Sequence, residues 1–241
     1  MSPRDAVVVT GGSNGIGRAT VVRLAQDGYR VFNLDLVEPV EPMEHETFVR
    51  VDLTDEAALR AALTGVVAQQ PVTRLVNNAG IVRPASIDHV TAADLQAVMA
   101  LNVASCIACV QALLPSMRAA GFGRIVNVSS RAALGKCERV AYASSKAALH
   151  GLTRTLALEL GSDGISVNAV GPGPIATDLF DRANPPGAPQ TLAILEAIPL
   201  RRMGRPSEVA HMVASLLDAR AGFVTGQVVY VCGGMTVGLA S

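Results

Sequence analysis

The sequence has no excess of either charge, few cysteines, and no leader-like apolar stretch at its start; each lack excludes something. Lys plus Arg number 20 and Asp plus Glu number 20, so no net field draws the chain to nucleic acid or to an acidic membrane. That balance speaks against an electrostatic partner. Cys106, Cys109, Cys137 and Cys232 are too sparse for a disulfide framework in 241 residues, so reduced thiols are expected. The opening "MSPRDAVVVT" lacks a signal-like run and later apolar runs read as short and broken by charges and glycines, which predicts a cytoplasmic chain without a membrane span.

Metal and hydrolase chemistry find no footing either. "CIAC" places Cys106 and Cys109 on one helical face with no second Cys or His pair, so they read as packed thiols. His45, His89, His150 and His211 are scattered, without ligand spacing or a serine-containing elbow. No metal site is expected.

What is present is a chain half hydrophobic, enough for a full core, without repeats or a linker, so residues 1–241 read as one domain. "AVVVT", "RVFNL", "TFVRV", "RLVNN", "RIVNV", "ISVNAV" and "QVVYV" read as seven strands. Helical periodicity falls between them near residues 16–27, 55–69, 91–120, 141–161 and 207–217, the rhythm of βαβ crossovers in a parallel sheet. A doubly wound α/β fold follows. Residues 35–47 hold two prolines and four glutamates with no apolar stripe, which predicts a loop in place of a crossover helix.

"VVVTGGSNGIGRAT" follows the first strand and opens the first helix. Its glycines permit a tight turn, and the helix N-terminus offers free N–H groups to a diphosphate, so the expected guest is a dinucleotide. Asp35, eighteen residues after Gly17 at the end of strand 2, is placed to accept from both adenosine ribose hydroxyls. A carboxylate there repels the extra phosphate of NADP, and Leu36, Ser13 and Asn14 supply no cation, so NAD is the expected cofactor. Arg18, taken as the nearest basic residue, is expected to turn outward to solvent. In "YASSK", Tyr142 and Lys146 stand four apart at a helix start and share a face, where a neighbouring ammonium favours the phenolate.

Taken together, "TGGSNGIG", "NNAG" at 77–80, Asn102 in "LNV", "NVSS" at 127–130, "YASSK" and "VGPGPIATD" at 170–178 resemble, in order and spacing, the motifs of the short-chain dehydrogenase/reductase family across essentially the whole chain. The resemblance implies a Rossmann fold with a seven-stranded parallel sheet, a bound nicotinamide cofactor and a homotetramer. It implies that Tyr142 transfers the proton, Lys146 holds the nicotinamide ribose and acidifies Tyr142, Asn102 serves a water-linked proton relay, and Ser130 polarises the substrate oxygen. It also implies that Gly11, Ser13, Asn14, Gly15, Ile16, Gly17, Asp35, Asp52, Leu53, Asn78, Ala79, Gly80, Pro172, Gly173, Ile175 and Thr177 line the cofactor, with Asp52 and Leu53 beside the adenine. The segment from Ser130 to Tyr142 is one residue shorter than in many members, so counting back from Tyr142 selects Ser129. Ser130 is preferred because "NVSS" aligns with the strand end. Gly171 replaces a commoner alanine, which is expected to alter only local flexibility.

The expected activity is NAD-dependent hydride transfer between a secondary alcohol, diol or hydroxy acid and its ketone. A 3-oxoacyl-carrier-protein reductase is the alternative, disfavoured by Asp35; a non-catalytic dinucleotide sensor and a carbohydrate epimerase or dehydratase stand further off. Residues 177–200 form the expected substrate lid, with "FDRANPPGAPQ" at 180–190 a mobile surface insertion. Leu179, Phe180, Leu192, Ile194, Leu195 and Ile198 fit either an apolar lid or a packed helix. Arg83, Arg131, Lys136 and Arg139 either recognise an acidic substrate or serve as surface and subunit-contact charges. Val98, Val110, Leu149, Leu152 and Leu156 are more apolar positions than one sheet flank is expected to bury, which suits pairing of two helices per subunit across a two-fold axis.

Overall fold

The computed structural model describes residues 5–177, 180, 184–185 and 187–237. Its centre is a seven-stranded, wholly parallel sheet in the order β3-β2-β1-β4-β5-β6-β7. The strands are β1 Ala6–Thr10, β2 Arg30–Asp35, β3 Glu46–Arg50, β4 Val72–Asn77, β5 Gly123–Val128, β6 Ile165–Pro172 and β7 Val228–Val231. Every residue of β1, β5 and β6 is buried, because a parallel sheet covered on both faces needs apolar side chains pointing both ways.

Alternation along β1 feeds two cores. Val8 joins Phe32, Leu34 and Leu75 under α2 (Glu56–Gln69), α4 (Ser105–Ala120) and α5 (Val140–Leu160), through Leu59, Leu63, Leu113, Met117 and Leu160. Val7 and Val9 pack on the other face with Val21 and Leu24 of α1 (Gly15–Gln26) and with Val209 and Val213 of α7 (Pro206–Leu217). Two further helices are α3 (Ala92–Met99) and α6 (Pro189–Glu196). The chain winds outward from β1 to β3 and then returns to β4 on the other side of β1. That switch point opens a crevice at the strand C-termini, where open α/β sheets bind ligands.

The expected single helix over 91–120 contains a π-helical segment, Ala100–Ala104, between α3 and α4. A π turn inserts an extra residue and commonly serves to aim a functional side chain, here Asn102. β2 passes to β3 without a helix, as the prolines and glutamates of 35–47 require.

Three expectations need correction, and one open choice is decided. Val98, Val110 and Leu149 are at most 4% exposed, buried within the single chain, so they cannot be the surface that pairs subunits; Ile107 and Leu158 are the exposed large apolar residues of α4 and α5. Gly171 is set by packing, since a methyl there would stand 2.6 Å from Cδ1 of Tyr230. Not all apolar runs are short: over Ala92–Ala120 an 18-residue window reaches a mean hydropathy of 2.0, long and apolar enough for a span, yet half of it is buried inside the fold as a core helix. Ile198, left open between an apolar lid and packing on the body, is 1% exposed and packs beneath Gly233.

Candidate active site

The glycine turn hangs from β2. Gly11 N–H donates to the Leu34 carbonyl at 2.8 Å, Gly12 N–H to Asn33 Oδ1 at 3.0 Å and Ser13 N–H to Asp35 Oδ2 at 3.0 Å. With these three committed, the N–H groups beyond them, in the first turn of α1 from Gly15, are the ones with no carbonyl partner in their own helix. Gly11 and Gly15 have φ of 66° and 53°, a region that favours glycine. Gly17 is small for another reason: a methyl there would stand 1.9 Å from the Gly11 carbonyl oxygen. The turn is a cradle with no room for side chains at Gly11, Gly12 and Gly17 and a positive helix end facing out, which fits a diphosphate.

Asn78, Ala79 and Gly80 close the turn from β4. Thr10 Oγ1 accepts from Asn78 N–H and Ala79 N–H, and Asn78 Nδ2 donates to the carbonyls of Thr10 and Gly11. Thr177, just past Pro172, Gly173 and the buried Ile175, reaches the helix start, since a methyl on Gly15 would be 3.5 Å from its Cγ2. At the far edge Asp52 binds the N–H and hydroxyl of Thr54, which hold its carboxyl below the usual range, and Leu53 is buried beside it. Asp35 Oδ1 accepts from Leu36 N–H at 2.7 Å and from Val37 N–H at 3.3 Å.

Asn102, Gly80 and Lys146 meet at the other end of the crevice. A methyl on Gly80 would be 3.1 Å from Asn102 Oδ1 and 3.4 Å from Lys146 Nζ. Lys146 is 4% exposed, its ammonium donates to the Val128 carbonyl at 2.8 Å, and it stands 5.7 Å from the centroid of the Tyr142 ring. Asn102 is bound on both sides of its amide, accepting from Ile81 N–H at 2.9 Å and donating to the Ile81 carbonyl and to Ser145 Oγ. Ser145 in turn donates to the Tyr142 carbonyl, so the π turn and the start of α5 are tied together.

The two serines at the end of β5 differ in what they hold. Ser129 Oγ donates its one proton to the Lys146 carbonyl at 2.9 Å and therefore accepts from His150 Nε2 at 2.8 Å, which fixes that nitrogen as protonated. Burial and Arg154 push His150 below its usual pKa. Ser130 Oγ accepts from Ala132 N–H at the head of the short 3-10 turn Arg131–Leu134, which leaves its proton available.

Other residues stand apart. Burial pushes the Cys106 thiol up to about 11 and raises that of Cys109; both are free and buried, and no cluster of metal-ligating residues occurs among the described residues. Arg83 pairs with Asp94 at 3.1 Å. Lys136 is held below its ordinary pKa by burial and by the charges of Arg139 and Arg131, so these three cations share the loop between Ser130 and Tyr142. Leu179 lies outside the described residues, as do parts of 180–190.

Arg18 does not turn to solvent. Its guanidinium donates to both oxygens of Glu46 at 2.8 Å and to the Glu41 carbonyl at 2.7 Å. Nor is it the basic residue that bears on Asp35: Arg50 stands opposite Asp35 in the β2–β3 register and donates to the Leu36 carbonyl. Sequence reasoning also missed Thr10, Asn33, Glu46 and Ser145. The signal for Asn33 was a polar residue inside the apolar strand "VFNL", and for Thr10 a hydroxyl closing "VVV".

A doubly wound sheet with a diphosphate cradle at its switch point and a buried lysine beside a tyrosine defines a dinucleotide-binding oxidoreductase. The sequence profile described as Enoyl-(Acyl carrier protein) reductase matches residues 11–236. The chain belongs to the short-chain dehydrogenase/reductase family. It is 36% identical over 240 residues to the (2S)-[(R)-hydroxy(phenyl)methyl]succinyl-CoA dehydrogenase subunit BbsD of Thauera aromatica, covering 95% of this chain and 96% of that one. It is 34% identical over 247 residues to the 3-oxoacyl-[acyl-carrier-protein] reductase FabG of Staphylococcus aureus, covering 98% and 99%. Among solved structures it matches the ligand-free aldohexose dehydrogenase of Thermoplasma acidophilum with a TM-score of 0.92 at 29% identity, over 99% of this chain and 96% of that one.

Proposed function

We propose that the chain is an NAD-dependent oxidoreductase that moves hydride between a secondary alcohol, diol or hydroxy acid and the corresponding ketone, with Tyr142 as general acid/base. The observation that carries this reading is the meeting of Lys146, Asn102 and Gly80 beside the Tyr142 ring, at the strand ends that also hold the glycine turn. When bound, the nicotinamide supplies the hydride acceptor. The remaining work falls to the chain. Gly11, Ser13, Asn14, Gly15, Ile16 and Gly17 hold the diphosphate, Asp35 the adenosine ribose, Asp52 and Leu53 the adenine side. Asn78, Ala79, Gly80, Pro172, Gly173, Ile175 and Thr177 line the rest. Tyr142 takes the proton of the substrate hydroxyl, the Lys146 ammonium stands 5.7 Å from the centroid of its ring, and the unused Ser130 proton steadies the substrate oxygen. Asn102, fixed by Ile81 and Ser145, belongs to the path that returns the proton to water.

The preference for NAD rests on Asp35, which opposes an added phosphate. Arg50 weighs against it: its side chain is 62% exposed and loosely paired with Glu38 at 3.6 Å. A homotetramer, a cytoplasmic location, and no dealings with nucleic acid or membrane belong to the same proposal. A second reading, hydride transfer between the 3-hydroxyl and 3-oxo forms of an acyl thioester, is favoured by the cations Arg131, Lys136 and Arg139 between Ser130 and Tyr142 and by the names of the relatives. Assaying NADH formation over secondary alcohols, diols, hydroxy acids and 3-hydroxyacyl thioesters tests both. Turnover of simple alcohols supports the first reading, and turnover confined to thioesters replaces it with the second.

A further inference from the structure

Glu46 opens β3, yet its side chain is wholly buried, and four hydrogen bonds end on its two oxygens. Oε1 accepts from Arg18 and from Asn33 Nδ2, each at 2.8 Å; Oε2 accepts from Arg18 at 2.8 Å and from Met43 N–H at 2.9 Å. A surface carboxylate needs no such company. A buried one does, because its charge loses water and must recover the same number of donors.

Asn33 connects this carboxylate to the glycine turn. Its carbonyl accepts from Gly12 N–H at 3.0 Å, while its amide nitrogen donates to Ser13 Oγ at 3.1 Å and to Glu46 at 2.8 Å. An ionised carboxylate only accepts, so Glu46 dictates which end of the Asn33 amide faces it and hence which end faces Gly12. The fit is close: a methyl on Gly12 would be 2.4 Å from Asn33 Oδ1, which accounts for a glycine whose φ imposes none.

We propose that Glu46 is a positioning residue for the dinucleotide site, acting through Asn33 to set the turn that presents the N–H groups of α1. It also holds Arg18, and through it the Glu41 carbonyl of the β2–β3 loop, so loop and turn are fixed by one buried charge. Replacing Glu46 by Gln puts an amide where two donors converge, which turns one contact into a clash of N–H groups and frees Asn33 to rotate. The turn then loses its Gly12 anchor, although every atom that would touch the cofactor remains.

This inference rests on the dinucleotide reading above, and the test separates the two. NAD is titrated calorimetrically into the wild type, Glu46→Gln, Asn33→Ala and the double variant. Each single substitution is expected to weaken NAD on the order of tenfold, appearing in KM for NAD far more than in kcat. The double variant is expected to bind no worse than Asn33→Ala alone, because the effect of Glu46 passes through Asn33. Wild-type affinity in Glu46→Gln, or losses that simply add, overturns the inference. Should Glu46→Gln fail to fold, undiminished NAD affinity in Asn33→Ala overturns it equally. Failure of the wild type itself to bind NAD is a different result, which removes the proposed cofactor.

Discussion

The crevice has two sides built on different principles. On the cofactor side, three successive N–H groups of the turn are bound to β2, and a buried network of Asn33, Glu46 and Arg18 braces them. On the segment proposed to cover the substrate, α6 leaves Leu192 49% exposed while Ile198, just past its end, is buried. A site that receives one ligand fixes its backbone; a site whose guest varies within a family leaves contacts to side chains on a connecting segment.

That contrast governs how much could be read from the sequence. Parallel strands buried on both faces give continuous apolar runs, so the sheet and its helices were legible in "AVVVT" and "ISVNAV". Glycines dictated by close approach were legible too: Gly17 faces a backbone oxygen, and no other residue fits. Partnerships formed between strands were hidden. Arg18 could be seen as a cation near the turn, but its bond to Glu46 depends on the β2–β3 register and on a loop without helix periodicity. Arg50 was hidden by the same register. Val98, Val110 and Leu149 misled because helix periodicity shows that a face is apolar without showing whether sheet or solvent covers it.

The comparison can be broken most severely on the rigid side. Gly17→Ala places a methyl against the Gly11 carbonyl, so NAD affinity is expected to fall on the order of a hundredfold, with a lower melting temperature. Calorimetry and thermal denaturation would show it, and unchanged binding would mean the turn is softer than its packing indicates. Ser130→Ala is expected to lower kcat by a factor on the order of 10², because it removes a donor to developing charge, whereas Ser129→Ala stays within a few fold. Steady-state kinetics of the pair decides, and the reverse ranking would transfer the role to Ser129.

Smaller effects sharpen it. Asp35→Ala is expected to narrow the ratio of NAD to NADP affinity by about tenfold, and Arg50→Ala in that background to restore part of it. Equal affinities in the wild type would show that Arg50 already cancels Asp35. Aspartate at Ile107 or Leu158 is expected to shift a tetramer toward smaller species in light scattering at micromolar concentration, with melting little changed, because both side chains are exposed in the single chain. A 25 kDa wild-type particle would remove the assembly altogether.

The central claim is that Tyr142 performs acid/base chemistry beside a cofactor held by other residues. It is tested most directly by Tyr142→Phe, which removes one oxygen and leaves the ring, its packing and the buried Lys146. With a substrate that the wild type oxidises, the variant is expected to lose turnover by a factor on the order of 10³ or more while binding NAD with nearly unchanged affinity. Substantial residual turnover in that variant would contradict the account, because another group would then have to carry the proton.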